Sequence, residues 1–141
     1  MSVQDLIINT TAVLYGGVVC VVGQVVHTLP EDKPVVGVTS LDNEIVLLRR
    51  QERDHVEVYD VITYRLQRCL TVPNARRFSY MTSCEHYHCL YIGDRRVECV
   101  HRLEVRGSAT RWTVNDVPEG LSVNAAHNVI VTCPLVRKIR V

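Results

Sequence analysis

A sheet-forming unit of roughly forty residues occurs twice in full and once in part along this chain. Its clearest copy opens at Val35-Val36-Gly37-Val38-Thr39-Ser40 and contains Val56-Glu57-Val58-Tyr59-Asp60. A related opening returns at Gly120-Leu121-Ser122-Val123. A unit of this length has room for short strands joined by tight turns. The composition agrees: 47% of the 141 residues are hydrophobic and 22% charged, a balance that supports a packed core. Valine, isoleucine and leucine supply most of the apolar content, and β-branched side chains suit a pleated surface.

Residues 34–73 read as one four-stranded unit. Val36 to Leu41 is a strand, Asp42-Asn43 a turn pair, and Glu44 to Arg50 a second strand. Its run Ile45-Val46-Leu47-Leu48 is continuously apolar, as suits a strand covered on both faces. His55 to Asp60 alternates, and Tyr64 to Val72 closes the unit before Pro73. Residues 74–116 repeat the plan with Phe78 to Cys84, His86 to Ile92, a Gly93-Asp94 turn, Arg96 to Val105, a Gly107-Ser108 turn and Thr110 to Val114. Residues 117–141 hold a partial unit: Leu121 to Ala125, Asn128 to Cys133 and Val136 to Val141. The fold expected is all-β, built of antiparallel four-stranded blades of an incomplete β-propeller. About two and a half blades are legible, and a hairpin at the front raises the number to at most about three.

That front segment, residues 1–33, is rich in apolar side chains. It starts Met1-Ser2-Val3-Gln4-Asp5, with an acid where a signal peptide carries basic residues. Asn9, Thr10, Thr11, Gly16, Gly17 and Gln24 interrupt what would otherwise approach the length of a spanning helix. A hairpin fits better: Leu6 to Tyr15, a Gly16-Gly17 turn, then Val18 to Leu29. A targeting role for residues 6–26 would place the chain at a membrane or outside the cell, where the Asn9-Thr10-Thr11 sequon matters.

Val56-Glu57-Val58-Tyr59-Asp60-Val61-Ile62-Thr63, followed by Arg65-Leu66-Gln67-Arg68-Cys69-Leu70, resembles the third and fourth strands of NHL, YVTN and WD-type propeller blades. There an aromatic-Asp pair ends the third strand and a Thr-containing turn follows. The mechanics fit: Asp60 can cap the turn with its carboxylate and Thr63 can bond to nearby backbone. The openings at Gly37 and Gly120 look like NHL-type first strands. No Trp-Asp or Gly-His pair recurs, which favours an NHL/YVTN-like type over a WD repeat. The stretch 34–141 also looks like lineage-specific invertebrate proteins built from such repeats. The resemblance implies a non-catalytic interaction scaffold, part of a larger or oligomeric propeller. It equally implies self-association through open blade edges as a way of covering unpaired strands.

Charge is unevenly placed. Residues 1–73 carry 6 Lys+Arg against 9 Asp+Glu, and residues 74–141 carry 10 against 6, for a total of +1. The basic half includes Arg76-Arg77, Arg95-Arg96 and Arg137-Lys138-Ile139-Arg140. Solvated turns and strand faces explain these residues, and no nucleic-acid motif accompanies them. RNA binding, known for some NHL propellers, has this basic half as its only support. Six cysteines at 20, 69, 84, 89, 99 and 133 form no CxxC pair. Cys69, Cys99 and Cys133 lie among apolar residues and read as reduced core thiols, which points to the cytoplasm.

One constellation has the residue types of a metal site. If Gly93-Asp94 is a two-residue turn, His88 lies opposite Cys99 and His86 opposite His101 on one face. Cβ atoms about 5 Å apart would then allow imidazoles and a thiolate to share zinc, as in a zinc-binding enzyme or sensor. Against this, the spacing lacks a structural-zinc signature, and imidazoles in a middle strand also serve as packing. Cysteine with histidine nearby is compatible with an activated thiolate, but no oxyanion hole, orienting acid or phosphate-cradling loop is legible. Trp112, in an outer strand, is either packing or an interface residue.

Overall fold

The computed structural model describes residues 34–49, 54–133 and 141 in full, together with the strand backbones lying within 6–28 and 138–140. The described residues hold fifteen strands and no helix, so no helix among them is long and apolar enough to cross a membrane.

The strands form four antiparallel sheets in which sequence neighbours are also sheet neighbours. The first contains β1 (Leu6–Asn9), β2 (Ala12–Tyr15), β3 (Val18–Val21) and β4 (Gln24–Thr28). The second contains β5 (Val35–Leu41), β6 (Glu44–Arg49), β7 (His55–Asp60) and β8 (Leu66–Thr71). The third contains β9 (Phe78–Cys84), β10 (Cys89–Asp94), β11 (Cys99–Glu104) and β12 (Ala109–Thr113). The fourth has three strands, β13 (Gly120–Val123), β14 (Val129–Cys133) and β15 (Lys138–Arg140). Tyr15 pairs with Val18 across the Gly16-Gly17 position, but β1 to β4 make four strands where the sequence suggested two. The polar pair Thr10-Thr11 and the Val22-Gly23 step divide the apolar run at two further places.

Neighbouring sheets meet through their first strands: β1 lies beside β5, β5 beside β9, and β9 beside β13. Four-stranded meanders succeeding one another by their first strands are blades of a propeller, here an open series. The middle strands are buried on both faces, as the apolar run 45–48 required. Val46 and Leu48 pack with Met81, Leu90, Ile92 and Leu103 of the third sheet, while Ile45 and Leu47 join Val38 and Tyr59 on the other face. In β10 the alternation repeats: Leu90 and Ile92 face the second sheet, Cys89 and Tyr91 face Leu121, Val131 and Cys133 of the fourth.

Turns follow the expected chemistry in several places. Asp42 and Asn43 both have positive φ (49° and 60°), the requirement of a two-residue hairpin turn. Asp60 Oδ1 accepts the backbone N–H groups of Ile62 (2.8 Å) and Thr63 (2.7 Å) and the Thr63 hydroxyl (3.2 Å). These donors hold the Asp60 carboxyl below its usual range. Asn124 Oδ1 repeats the device with the N–H groups of Ala126 and Asn128, both at 3.0 Å.

Gly93 departs from its expected role. It lies inside β10, and the turn is the segment Arg95–Glu98. A Cβ at position 93 would stand 2.5 Å from Ser79 Oγ and 3.4 Å from the Pro118 ring. The glycine therefore permits close approach between sheets, and the Ser79 hydroxyl donates to the Pro118 carbonyl at 2.6 Å in the space it leaves.

Cys69 also departs from expectation. It lies on the outer strand β8 and is exposed, whereas Cys84, Cys89, Cys99 and Cys133 are buried. Brief iodoacetamide treatment of the folded protein should alkylate Cys69 first among these five. Peptide mass spectrometry checks this, and early labelling of the four buried thiols would contradict the packing.

Candidate functional site

Antiparallel meanders place the β5–β6, β9–β10 and β13–β14 turns at one end of the sheets and the β10–β11 turn and sheet-to-sheet connections at the other. Each end gathers side chains from more than one sheet.

At the first end, three turns are joined. The Asp42 backbone N–H donates to the Glu85 carboxylate (3.2 and 3.3 Å), and His88 Nδ1 donates to Asp42 Oδ1 at 2.8 Å. His86 stacks on His127 with ring centroids 3.9 Å apart and planes 4° from parallel. Tyr87 meets His86 edge-on at 4.6 Å, and the Arg102 guanidinium lies 5.4 Å from the Tyr87 ring centroid. His86 and Tyr87 are exposed, Tyr87 by 45%. The backbone makes this display possible: His88 and His127 each take positive φ (48° and 63°) at the last position of their turns. That conformation closes each loop through a bond to the carbonyl of its first residue, Glu85 or Asn124.

The expected zinc set is not assembled. With the β10–β11 turn centred between residues 96 and 97 instead of 93 and 94, Cys99 faces Asp94 and His101 faces Ile92. His86 and His88 lie in the β9–β10 turn, at the other end of β10. Among the described residues, no group of three or more His, Cys, Asp and Glu is spaced to hold a metal ion.

Cys99 and His101 join instead with Asp94, all three buried. Asp94 Oδ2 accepts from His101 Nε2 at 3.1 Å and from the Arg76 N–H at 2.7 Å. Its Oδ1 accepts from the N–H groups of Arg77 (3.0 Å) and Arg96 (3.1 Å). Burial alone would raise the Asp94 pKa, but His101 and the three backbone donors outweigh it and hold the carboxyl below its ordinary value. The trio has the residue types of a nucleophilic triad without its geometry. Cys99 Sγ (3.5 Å) and Asp94 Oδ2 share the same imidazole nitrogen, Nε2, so no relay runs from acid through ring to thiol. Burial and the Asp94 charge push the Cys99 thiol up to about 11, away from the reactive thiolate.

The Asp94 carboxylate has a further consequence at the second end. By binding Arg76, Arg77 and Arg96 through their backbones, it brings together the two Arg-Arg pairs that the sequence places about twenty residues apart. Arg95 N–H also donates to the Arg77 carbonyl at 2.8 Å. All four arginine residues are exposed, Arg95 and Arg96 in the β10–β11 turn and Arg76 and Arg77 in the segment leading into β9. Arg77 and Arg95 line a cavity of about 530 Å³.

Sequence reading missed the stacked His86–His127 pair and the clamp role of Asp94. The first was detectable as three successive first turns at 42–43, 85–88 and 124–127; the second depended on the register of β10.

No protein-family model and no curated protein matches the chain. Solved structures do. Kuenenia stuttgartiensis hydrazine synthase superposes with a TM-score of 0.63 at 15% identity, over 77% of this chain and 32% of that one. The computationally designed Ika8 protein gives 0.66 at 15% identity, over 93% and 42%. Saccharomyces cerevisiae Sqt1 gives 0.63 at 11% identity, again over 93% and 42%. The chain spans 32% to 42% of the length of these proteins. At such identities the likeness is one of fold, and it agrees with an all-β series of propeller-like blades.

Proposed function

We propose that the chain is a non-catalytic protein-interaction module of NHL/YVTN-like blades, acting within a larger or oligomeric propeller. One observation carries this reading: the β9–β10 and β13–β14 turns of two neighbouring sheets set exposed His86 and Tyr87 against half-buried His127, with the half-buried Arg102 of β11 at the Tyr87 ring. Tyrosine and arginine dominate the energetics of protein interfaces because they bury a large area at small entropic cost. The β9–β10 turn is braced on the β5–β6 turn by the His88–Asp42 and Glu85–Asp42 contacts, so His86 and Tyr87 are pre-organised for a partner.

The test compares the intact chain with a His86→Ala, Tyr87→Ala double variant in affinity capture at physiological salt. Both residues are exposed, so the variant should keep its thermal midpoint. Proteins held by the wild type should be lost, with a binding deficit of about 2 kcal/mol for a partner then titrated in purified form. Equal affinity for both proteins would overturn the assignment. Sedimentation of the intact chain across a range of concentrations tests self-association through open edges, and a monomer at every concentration would remove that part.

A further inference from the structure

We propose that the cavity between the second, third and fourth sheets at the Asp94 end binds a compact organic phosphate monoester. The cavity, about 530 Å³, is lined by Arg77, Phe78, Ser79, Tyr80, Arg95 and Glu119. That volume is in the range of small-molecule sites, typically about 300–1,000 Å³.

Charge and geometry select the ligand. Two guanidinium groups and one carboxylate line the cavity, and the carboxylate, Glu119, already pairs with Arg95 at 3.2 Å. The Arg77 guanidinium has no carboxylate partner among the described residues, nor have those of Arg76 and Arg96 beside it. A surplus of fork-shaped donors at the mouth of a cavity suits a doubly charged tetrahedral oxyanion, which accepts bidentate bonds from arginine. The surplus is held in place: Asp94 fixes the backbones of Arg76, Arg77 and Arg96, and Arg95 is tied to the Arg77 carbonyl. Like charges gathered in this way raise the local potential for an anion. Phe78 and Tyr80 border the cavity and offer some apolar contact to the organic part, so a phosphate ester should outrank the bare ion. The Ser79 hydroxyl is committed to the Pro118 carbonyl and closes the floor.

The intact chain is titrated by calorimetry with phenyl phosphate, inorganic phosphate and phenol. The expected result is saturable one-to-one binding of phenyl phosphate, weaker binding of inorganic phosphate and none of phenol. Arg77→Ala and Arg95→Ala should each weaken phenyl phosphate about tenfold, the loss expected for a charge-assisted hydrogen bond. Glu119→Gln should tighten it, since it removes a repelling charge and releases Arg95. These side chains are exposed, so unliganded thermal midpoints should stay unchanged, and the midpoint of each variant verifies that it is folded. Absence of saturation with phenyl phosphate, or an Arg77→Ala variant of unchanged affinity, overturns the proposal. So does tight, steeply salt-dependent binding of a single-stranded RNA that phenyl phosphate fails to displace, which would make the arginines an extended polyanion surface.

Discussion

Asp94→Ala should lower the unfolding free energy by about 3 kcal/mol or more, since each buried donor left without an acceptor costs about 1–3 kcal/mol. Four donors lose their acceptor at once: His101 Nε2 and the N–H groups of Arg76, Arg77 and Arg96. Alanine leaves a hole with no route for water into a residue position that is fully buried. The thermal midpoint should fall by about 10 °C or more. Asp94→Asn keeps an acceptor oxygen but loses the charge, and should fall between wild type and alanine. The pH dependence has a definite sign. Because the folded state holds the Asp94 carboxyl low, its contribution is complete above the unfolded value of about 3.9 and is lost as pH drops through the lower folded value. The gap between wild type and Asp94→Asn should therefore be constant from neutral pH down to about 4 and close below that. Chemical denaturation at a series of pH values measures it. A pH-independent gap, or an Asp94→Ala protein as stable as wild type, would remove the carboxylate from its clamping role.

The same residue shows where sequence reading stopped. Gly93-Asp94 has the composition of a hairpin turn, and turn chemistry by itself places the bend there. Tertiary packing decided otherwise. Pro118 and the Ser79 hydroxyl crowd position 93 until only glycine fits within the strand, and three backbone donors from two loops converge on position 94. Two of those donors, Arg76 and Arg77, lie 18 and 17 residues away in sequence, so no local pattern reveals them. Once the bend moves to Arg95–Glu98, the proposed facing of His86 and His88 with Cys99 and His101 is lost, because pairing register fixes which side chains meet.

Features set by local rules were legible. The apolar run 45–48 is buried on both faces, Asp60 caps its own turn with Ile62 and Thr63, and Asp42-Asn43 adopts the two-residue bend. Each depends on residues within a few positions of one another. The exposed cysteine on β8 was not legible, since an outer strand and an inner one can carry similar apolar residues. What separates them is which has a neighbouring sheet. Trp112 makes the same point: it lies on the outer strand β12, 43% exposed, with its ring stacked 5.8 Å from that of Tyr91.

The placement of Ile92 gives the sharpest test of how the blades cooperate. Ile92 is fully buried and packs in the cluster that Leu48 and Val46 of the second sheet share with Leu90 and Leu103 of the third. Ile92→Ala should cost about 2–5 kcal/mol, the transfer of the lost methyl groups plus the cavity they leave. Leu66→Ala, on the half-exposed outer strand β8, should stay within about 0.5 kcal/mol of wild type. The form of the transition is as informative as its midpoint. The third sheet contributes Leu90 and Ile92 to one cluster and Cys89 and Tyr91 to the next, so it couples the second sheet to the fourth. In an array stabilised by nearest-neighbour interfaces, loosening this middle member weakens both of its contacts. Ile92→Ala should therefore move one cooperative transition downward without splitting it. A second, unshifted step in urea unfolding would show that the second sheet stands without the third. Combining Ile92→Ala with Leu48→Ala should cost something other than the sum of the two single changes, because both side chains pack in the same cluster. Strict additivity would place them in separate cores.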